Sequence, residues 1–210
     1  MAKKPNSRSR ALVAVQTKPP TYWFGENEIA PLEVFRVPEV HPSGRGPWVP
    51  EADKISWIDA ATGLPCIIRR AKAGFLSGYV GVEPHHPLHG FDRRALPHAL
   101  DIEVHGGLTY SSPCDENGEP ARSVCHIPSV GISDRIWWFG FDCNHSYDLV
   151  PKQRDAGFLG AENGRVYRDE AYVYHQCTNL ASQLHAIGEG KPKPDQSEPP
   201  PPTGLDPYRL

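Results

Sequence analysis

The sequence predicts an α+β fold: an antiparallel β-sheet covered on one face by a long C-terminal α-helix, preceded by an irregular Pro-rich N-terminal arm. Two features carry this expectation. Short β-branched and aromatic runs bounded by Gly, Pro and Asn fill the chain up to residue 148, and the single strong helical pattern comes last. Strands that cluster before one helix fit segregated elements rather than alternating βαβ units. A hydrophobic fraction of 39%, with 23 Pro and 19 Gly in 210 residues, adds abundant irregular structure.

Residues 1–20 are basic, through Lys3, Lys4, Arg8 and Arg10, and then Pro-rich, so they are expected to form a disordered tail. Residues 21–54 alternate aromatic or aliphatic residues with prolines at 31, 38, 42, 47 and 50. Proline lacks the amide proton and fixes φ, which forbids a long helix and any central strand there. This segment is expected to be an extended arm with one short edge strand near 32–37.

A single α+β domain is expected over 55–188. Ile55–Asp59 and Leu64–Arg70 flank Ala60-Ala61-Thr62-Gly63 and predict a hairpin, with Gly63 tolerating positive φ. Phe75–Val82 is a third strand whose glycines at 78 and 81 signal a bulge or a close backbone approach. Leu100-Asp101-Ile102-Glu103-Val104 alternates with period two and predicts a half-buried strand running into the Gly106-Gly107 bend. Residues 111–134 are polar and turn-rich. The run Ile136-Trp137-Trp138-Phe139-Gly140-Phe141 is the most apolar in the chain and is expected to be the central core strand under the helix. Val173, Cys177, Leu180, Leu184 and Ile187 recur at spacings of four and three, giving one apolar helical stripe closed by Gly188. Asp169 and Glu170 suit the positive end of that helix. From Glu189 to residue 210, Lys-Pro and Pro-Pro repeats predict a disordered tail.

A net charge of −3 gives no general reason to expect nucleic-acid binding. No apolar run approaches the roughly 20 residues of a membrane span, and the short run 11–15 is below the length of a secretory h-region. An intracellular setting is therefore expected. The five cysteines (66, 114, 125, 143 and 177) are odd in number and lack a CxxC pair, which argues against a disulfide scaffold and a structural zinc. No P-loop or Rossmann glycine motif is present, which disfavours ATP- or NAD-driven chemistry.

Three segments together carry a resemblance. They are Gly78-Tyr79-Val80-Gly81-Val82 continuing to Pro84, His86-Pro87-Leu88-His89-Gly90; Val104-His105-Gly106-Gly107-Leu108-Thr109-Tyr110; and Trp137-Trp138-Phe139-Gly140-Phe141-Asp142-Cys143 with His145 and Asp148. Followed by Tyr167-Arg168-Asp169 and the terminal helix, they resemble a family of uncharacterised proteins encoded by phages, prophages and some bacterial genomes. The resemblance spans roughly residues 75–187. It implies a mobile-element context and the cytoplasm of a bacterial host, and it implies no mechanism.

The candidate chemistry lies in loops that follow predicted strands, where function usually concentrates. His86, His89, His105, Asp142, His145 and Asp148 would form a His/Asp-lined pocket if those strand ends are neighbours. Imidazole and carboxylate are ligands for zinc, manganese or iron, and the metal set is expected to be His105, Asp142 and His145. A metal held there could lower the pKa of a bound water and generate hydroxide. The same residues could equally brace irregular backbone, since Asp and His often hydrogen-bond turns. Cys114, Cys125, His126 and Cys143 form a second candidate, a zinc clip, and Cys143 beside His105 or His145 is a candidate nucleophile. Aromatics such as Trp23, Trp48, Trp57, Trp137 and Trp138 could stack on a base, or be core. Two functions follow: a protein that binds a small polar ligand or a host protein, and a small metal-dependent hydrolase. The binding reading ranks first, because no catalytic motif is present.

Overall fold

The computed structural model describes residues 13–115, 118–125, 135–156 and 164–200. Nine strands, one α-helix and three short 3-10 turns are formed within them: β1 (Val15–Thr17), β2 (Tyr22–Phe24), β3 (Asn27–Ile29), β4 (Pro31–Arg36), β5 (Lys54–Ile58), β6 (Pro65–Arg70), β7 (Leu76–Val82), β8 (Tyr110–Pro113), β9 (Trp137–Asp142) and α1 (Glu170–Gly188). Seven strands pair in the order β1-β4-β5-β6-β7-β9-β8, and every pairing is antiparallel. The small hairpin of β2 and β3 stands apart. The fold is α+β, with α1 lying over β6 and β7.

Period-two alternation sorts the sheet into two faces. On one, Ile55, Trp57, Ile68, Val80, Phe139 and Phe141 meet Val173, Cys177, Leu180 and Leu184 of α1. Those four helical residues are fully buried, and each leucine contributes about 2 kcal/mol of transfer free energy. Gly78 makes the close approach possible: a Cβ there would sit 2.6 Å from Cys177 Sγ and 2.4 Å from the Phe141 ring. The helix starts where Asp169 accepts the amide of Tyr172 at 2.9 Å, an N-cap that satisfies one orphan donor.

The opposite face carries Ile67, Tyr79 and Trp138, covered by Val124 and Ile136, and beside them Phe35, Val37 and Val40 under Ala121. The segment 118–125 that lies here is held by two basic side chains of the sheet. Lys54 Nζ donates to the carbonyls of Pro120 (2.5 Å) and Cys125 (2.9 Å), and Arg69 to that of Arg122 (2.5 Å). Burial pushes the Lys54 ammonium below its usual pKa, against the pull of Glu33 at 3.6 Å.

At the start of α1 a buried ionic network joins the arm, the sheet and the helix. The Arg70 guanidinium reaches Asp53 and Glu51 at 2.7 Å each, the Tyr167 hydroxyl at 2.7 Å and the carbonyl of Gly74 at 2.9 Å. Glu51 accepts the amide of Glu170 at 3.1 Å, and Glu170 in turn accepts from the Ala52 amide and the Tyr22 hydroxyl, both at 2.8 Å.

Several expectations need correction. Residues 15–17, assigned to a disordered tail, form edge strand β1, while 1–12 lie outside the described residues. β4 is an interior strand rather than an edge, because Pro31 opens it and Pro38 lies beyond its end, so neither removes an amide from its middle. The central strands under the helix are β6 and β7; β9 stands next to the edge, between β7 and β8. Residues 101–104 form no strand. Ile102 and Val104 do turn inward, but the backbone bonds to helix glutamines: Gln183 exchanges two 2.8 Å bonds with Glu103, and Gln176 accepts the amide of His105 at 2.9 Å. Residues 189–200 carry no regular structure yet are pinned, through Lys193 to Asp101 and Glu103 and through Ser197 to His175 and Asn179. Residues 201–210 lie outside the described set. Cys114 and Cys125 form a disulfide, against the expectation from an odd cysteine count. Among the described residues no helix is long and apolar enough to cross a membrane.

Candidate functional site

Three of the six candidate pocket residues converge, at the end of α1 that carries its N-cap. His105, His145 and Asp148 each offer a ligand atom within 4.8 Å of the others. The segment after Val104 brings His105 beside Tyr172, and the loop after β9 folds back to bring His145 and Asp148 to the same place. That loop is closed by Asp148 N donating to His145 O at 2.9 Å and by a bridge between Asp148 and Val166.

Asp148 is 1% exposed and accepts from every side. Its Oδ2 takes His105 Nε2 at 2.8 Å and the His145 amide at 2.9 Å; its Oδ1 takes Arg168 Nε at 2.9 Å. Burial alone would raise the carboxyl pKa, but the hydrogen bonds from His105 and Arg168 outweigh it and bring it down to about 2. Asp148 is thus an anion at any ordinary pH. The other nitrogen of His105 lies 2.9 Å from the Tyr172 hydroxyl, whose pKa burial raises. A hydroxyl serves either tautomer: it donates to a bare Nδ1, or accepts from Nδ1–H when Nε2 is needed as a ligand. Arg168 also stacks over the Tyr172 ring at 4.7 Å, which fixes both.

His145 is the open member. Its side chain is 35% exposed, with Nδ1 at 3.5 Å from Asp148 Oδ2 and its ring 5.2 Å from that of His105. Its ring rests on Gly106, where a Cβ would fall 2.1–2.6 Å from the imidazole atoms. Gly106 also has φ +63°, so glycine is demanded twice at this position.

The remaining candidates lie elsewhere. Asp142, expected to be the carboxylate ligand, points to the opposite face of the sheet by strand alternation. There it accepts from Ser77 at 2.6 Å, its register partner, and from Thr109 at 3.0 Å. Buried His86 braces the last turn of α1: Nδ1 accepts from Leu88 N at 3.1 Å, so Nε2 donates to Leu184 O at 2.8 Å. Burial lowers its pKa. His89 contacts the Arg135 carbonyl at 2.8 Å, beside Trp137. The zinc clip fails: Cys114 and Cys125 are bonded to each other, Cys143 is buried in the helix-side core, and His126 lies outside the described residues. The nucleophile reading of Cys143 fails too. Its thiol is 1% exposed, and burial pushes its pKa well up rather than down.

Sequence reasoning missed Arg168 and Tyr172. A signal did exist, in the polar line Tyr172, Gln176 and Gln183, spaced four and seven along α1 beside the apolar stripe. All three bond to residues 103–105.

Two imidazoles and one carboxylate, with an aromatic hydroxyl and a guanidinium behind them, are a donor set for a divalent transition ion. No protein-family model, curated protein or solved structure matches the chain.

Proposed function

We propose that the protein binds a divalent metal ion through His105, His145 and Asp148, and that the ion is the centre of its activity. One observation carries the reading: the three ligand atoms already lie within 4.8 Å of one another, close to what one coordination sphere requires. The charge is right, because Asp148 is a fixed anion. The surroundings support it too: Tyr172 and Arg168 bond the outer atoms of His105 and Asp148, while Nε2 and Oδ2, now 2.8 Å apart and bonded to each other, would exchange that bond for the ion. Three protein ligands leave positions for water and a polar ligand, on the side where His145 is exposed. That is the arrangement in which a metal-bound water ionises near neutral pH, so the reaction class we assign is metal-assisted hydrolysis.

The test is metal content and titration. Protein purified without added metal and then titrated with Zn2+ or Co2+ should take up one equivalent. His145→Ala should weaken binding by roughly 100-fold or more with little change in stability, since its ring is partly exposed. No uptake, or uptake unaltered in His145→Ala and Asp148→Asn, would leave Asp148 as a structural hub and end the proposal.

A further inference from the structure

We propose that the groove between β3, the end of β5 and α1 docks an extended peptide strand, apolar at alternate positions and carrying arginine, which adds to the free edge of β3. Its volume is about 700 Å³, and it shares no lining residue with the His105 centre. Among the described residues β3 pairs with β2 alone; Asn27 and Ile29 give their backbone groups to that pairing, so its other edge presents the amide and carbonyl of Glu28. Such an edge is a template for strand addition. Glu28, with Asn27 and Ile29 on either side, is also a wall of the groove.

The floor supplies the apolar part. Leu32, Trp57, Ile58 and Tyr174 line it, and Ile58 remains 39% exposed. Leu32 falls within the register break between Pro31 and Glu33, the kind of irregularity that re-aims a side chain. The small residues Ala30, Ala60 and Ala61 leave room for a backbone.

The charge and ring chemistry select arginine. Glu28 lines the groove as an exposed carboxylate, Asp59 beside it is buried and accepts from the Thr62 amide and hydroxyl, and burial keeps the neighbouring His175 below its usual pKa, so that imidazole adds no positive charge at neutral pH. Trp23 is the direct register partner of Glu28 and is 56% exposed. Directly opposed residues of an antiparallel pair share a face. A guanidinium can therefore pair with the Glu28 carboxylate while stacking on the Trp23 indole, which an ammonium does less well. The chain itself lays irregular backbone beside this groove: Ser197 bonds to His175 and Asn179 of α1 and lines the groove.

The test uses fluorescein-labelled synthetic peptides against the full chain, read by anisotropy and by amide chemical shifts. A peptide of alternating valine and arginine should bind at one saturable site and shift the amides of Asn27–Ile29. Affinity should fall roughly tenfold or more in Glu28→Lys and in Trp23→Ala, with far-UV circular dichroism unchanged. It should fall similarly when alternate peptide residues are proline, which cannot complete a ladder. Equal binding of a valine–glutamate peptide, binding indifferent to Glu28→Lys, or no binding up to millimolar peptide would each overturn the proposal. So would binding that appears only after residues 201–210 are removed, because the chain's own tail would then be the occupant.

Discussion

The molecule has two polar centres built from similar parts and finished differently. Around Arg70, two carboxylates, a tyrosine and backbone carbonyls enclose a guanidinium with no exposed side chain, and every nitrogen of Arg70 has a partner. Around Asp148, two imidazoles and a guanidinium surround a carboxylate and a tyrosine stands behind one imidazole, but the other imidazole is left partly in solvent and in loose contact. The first centre joins three parts of the chain. The second has a side from which a ligand can enter. Saturation rigidifies a buried network, whereas one unfinished contact is what a functional site needs.

The largest effect should come from breaking the closed centre. Arg70→Met strands Glu51 and Asp53 as buried carboxylates without their guanidinium. Urea unfolding should report a loss of about 3–5 kcal/mol. A loss under about 1 kcal/mol would mean that the network opens to water and that the contrast between the centres is false. The next effect should come from the support of the open centre. Gly106→Ala must adopt positive φ and displace the His145 ring, costing about 2 kcal/mol. Metal titration should show weaker binding at the same time. Unchanged binding would mean that His145 is not held in place by this contact.

A smaller effect separates the centres by pH. Burial, and then the nearby charge of Glu51, pushes the Glu170 pKa well above its usual value. A carboxyl whose folded pKa is raised holds its proton longer in the folded state, so its contribution to stability is full below about pH 4.5 and is lost as pH rises above that. Glu170→Gln should remove this loss. Urea unfolding at a series of pH values should then show a flatter dependence above pH 4.5, the slope changing by roughly 1 kcal/mol for each step of one in pH. Asp148, with its depressed pKa, has the opposite sign and should be untouched by this change.

The fold was largely legible because its core obeys simple periods. The apolar stripe of α1 and the alternation of β6, β7 and β9 each depend on residues a few positions apart. The elements misjudged were those whose partners are distant. Val104 alternates like a strand residue, but the backbone on either side of it bonds to Gln176 and Gln183, far along the chain, whose Oε1 atoms accept the amides of His105 and Glu103. β4 looked peripheral from its prolines, which turned out to bracket it. The His105–Asp148 cluster was half legible for the same reason. His105, His145 and Asp148 stood out as polar groups after strands, yet Asp142 looked equivalent to Asp148. Only the position where β9 ends decides which carboxylate stays on the pleat and which turns back toward Tyr172. Cys114 and Cys125 could not be paired from spacing at all, since a bond between them requires knowing that the chain returns.

That bond has a consequence for the architecture. The helix shields one side of the sheet by secondary structure. Among the described residues, the other side is shielded by an irregular segment that ends at Cys125, closed onto Cys114 and gripped by Lys54 and Arg69. Here a covalent closure holds an irregular cover in place. In a reducing environment, among the described residues, two cations and a few apolar contacts would be left to hold this cover over Trp138 and Tyr79, so how firmly that side is shielded is in part a matter of redox state.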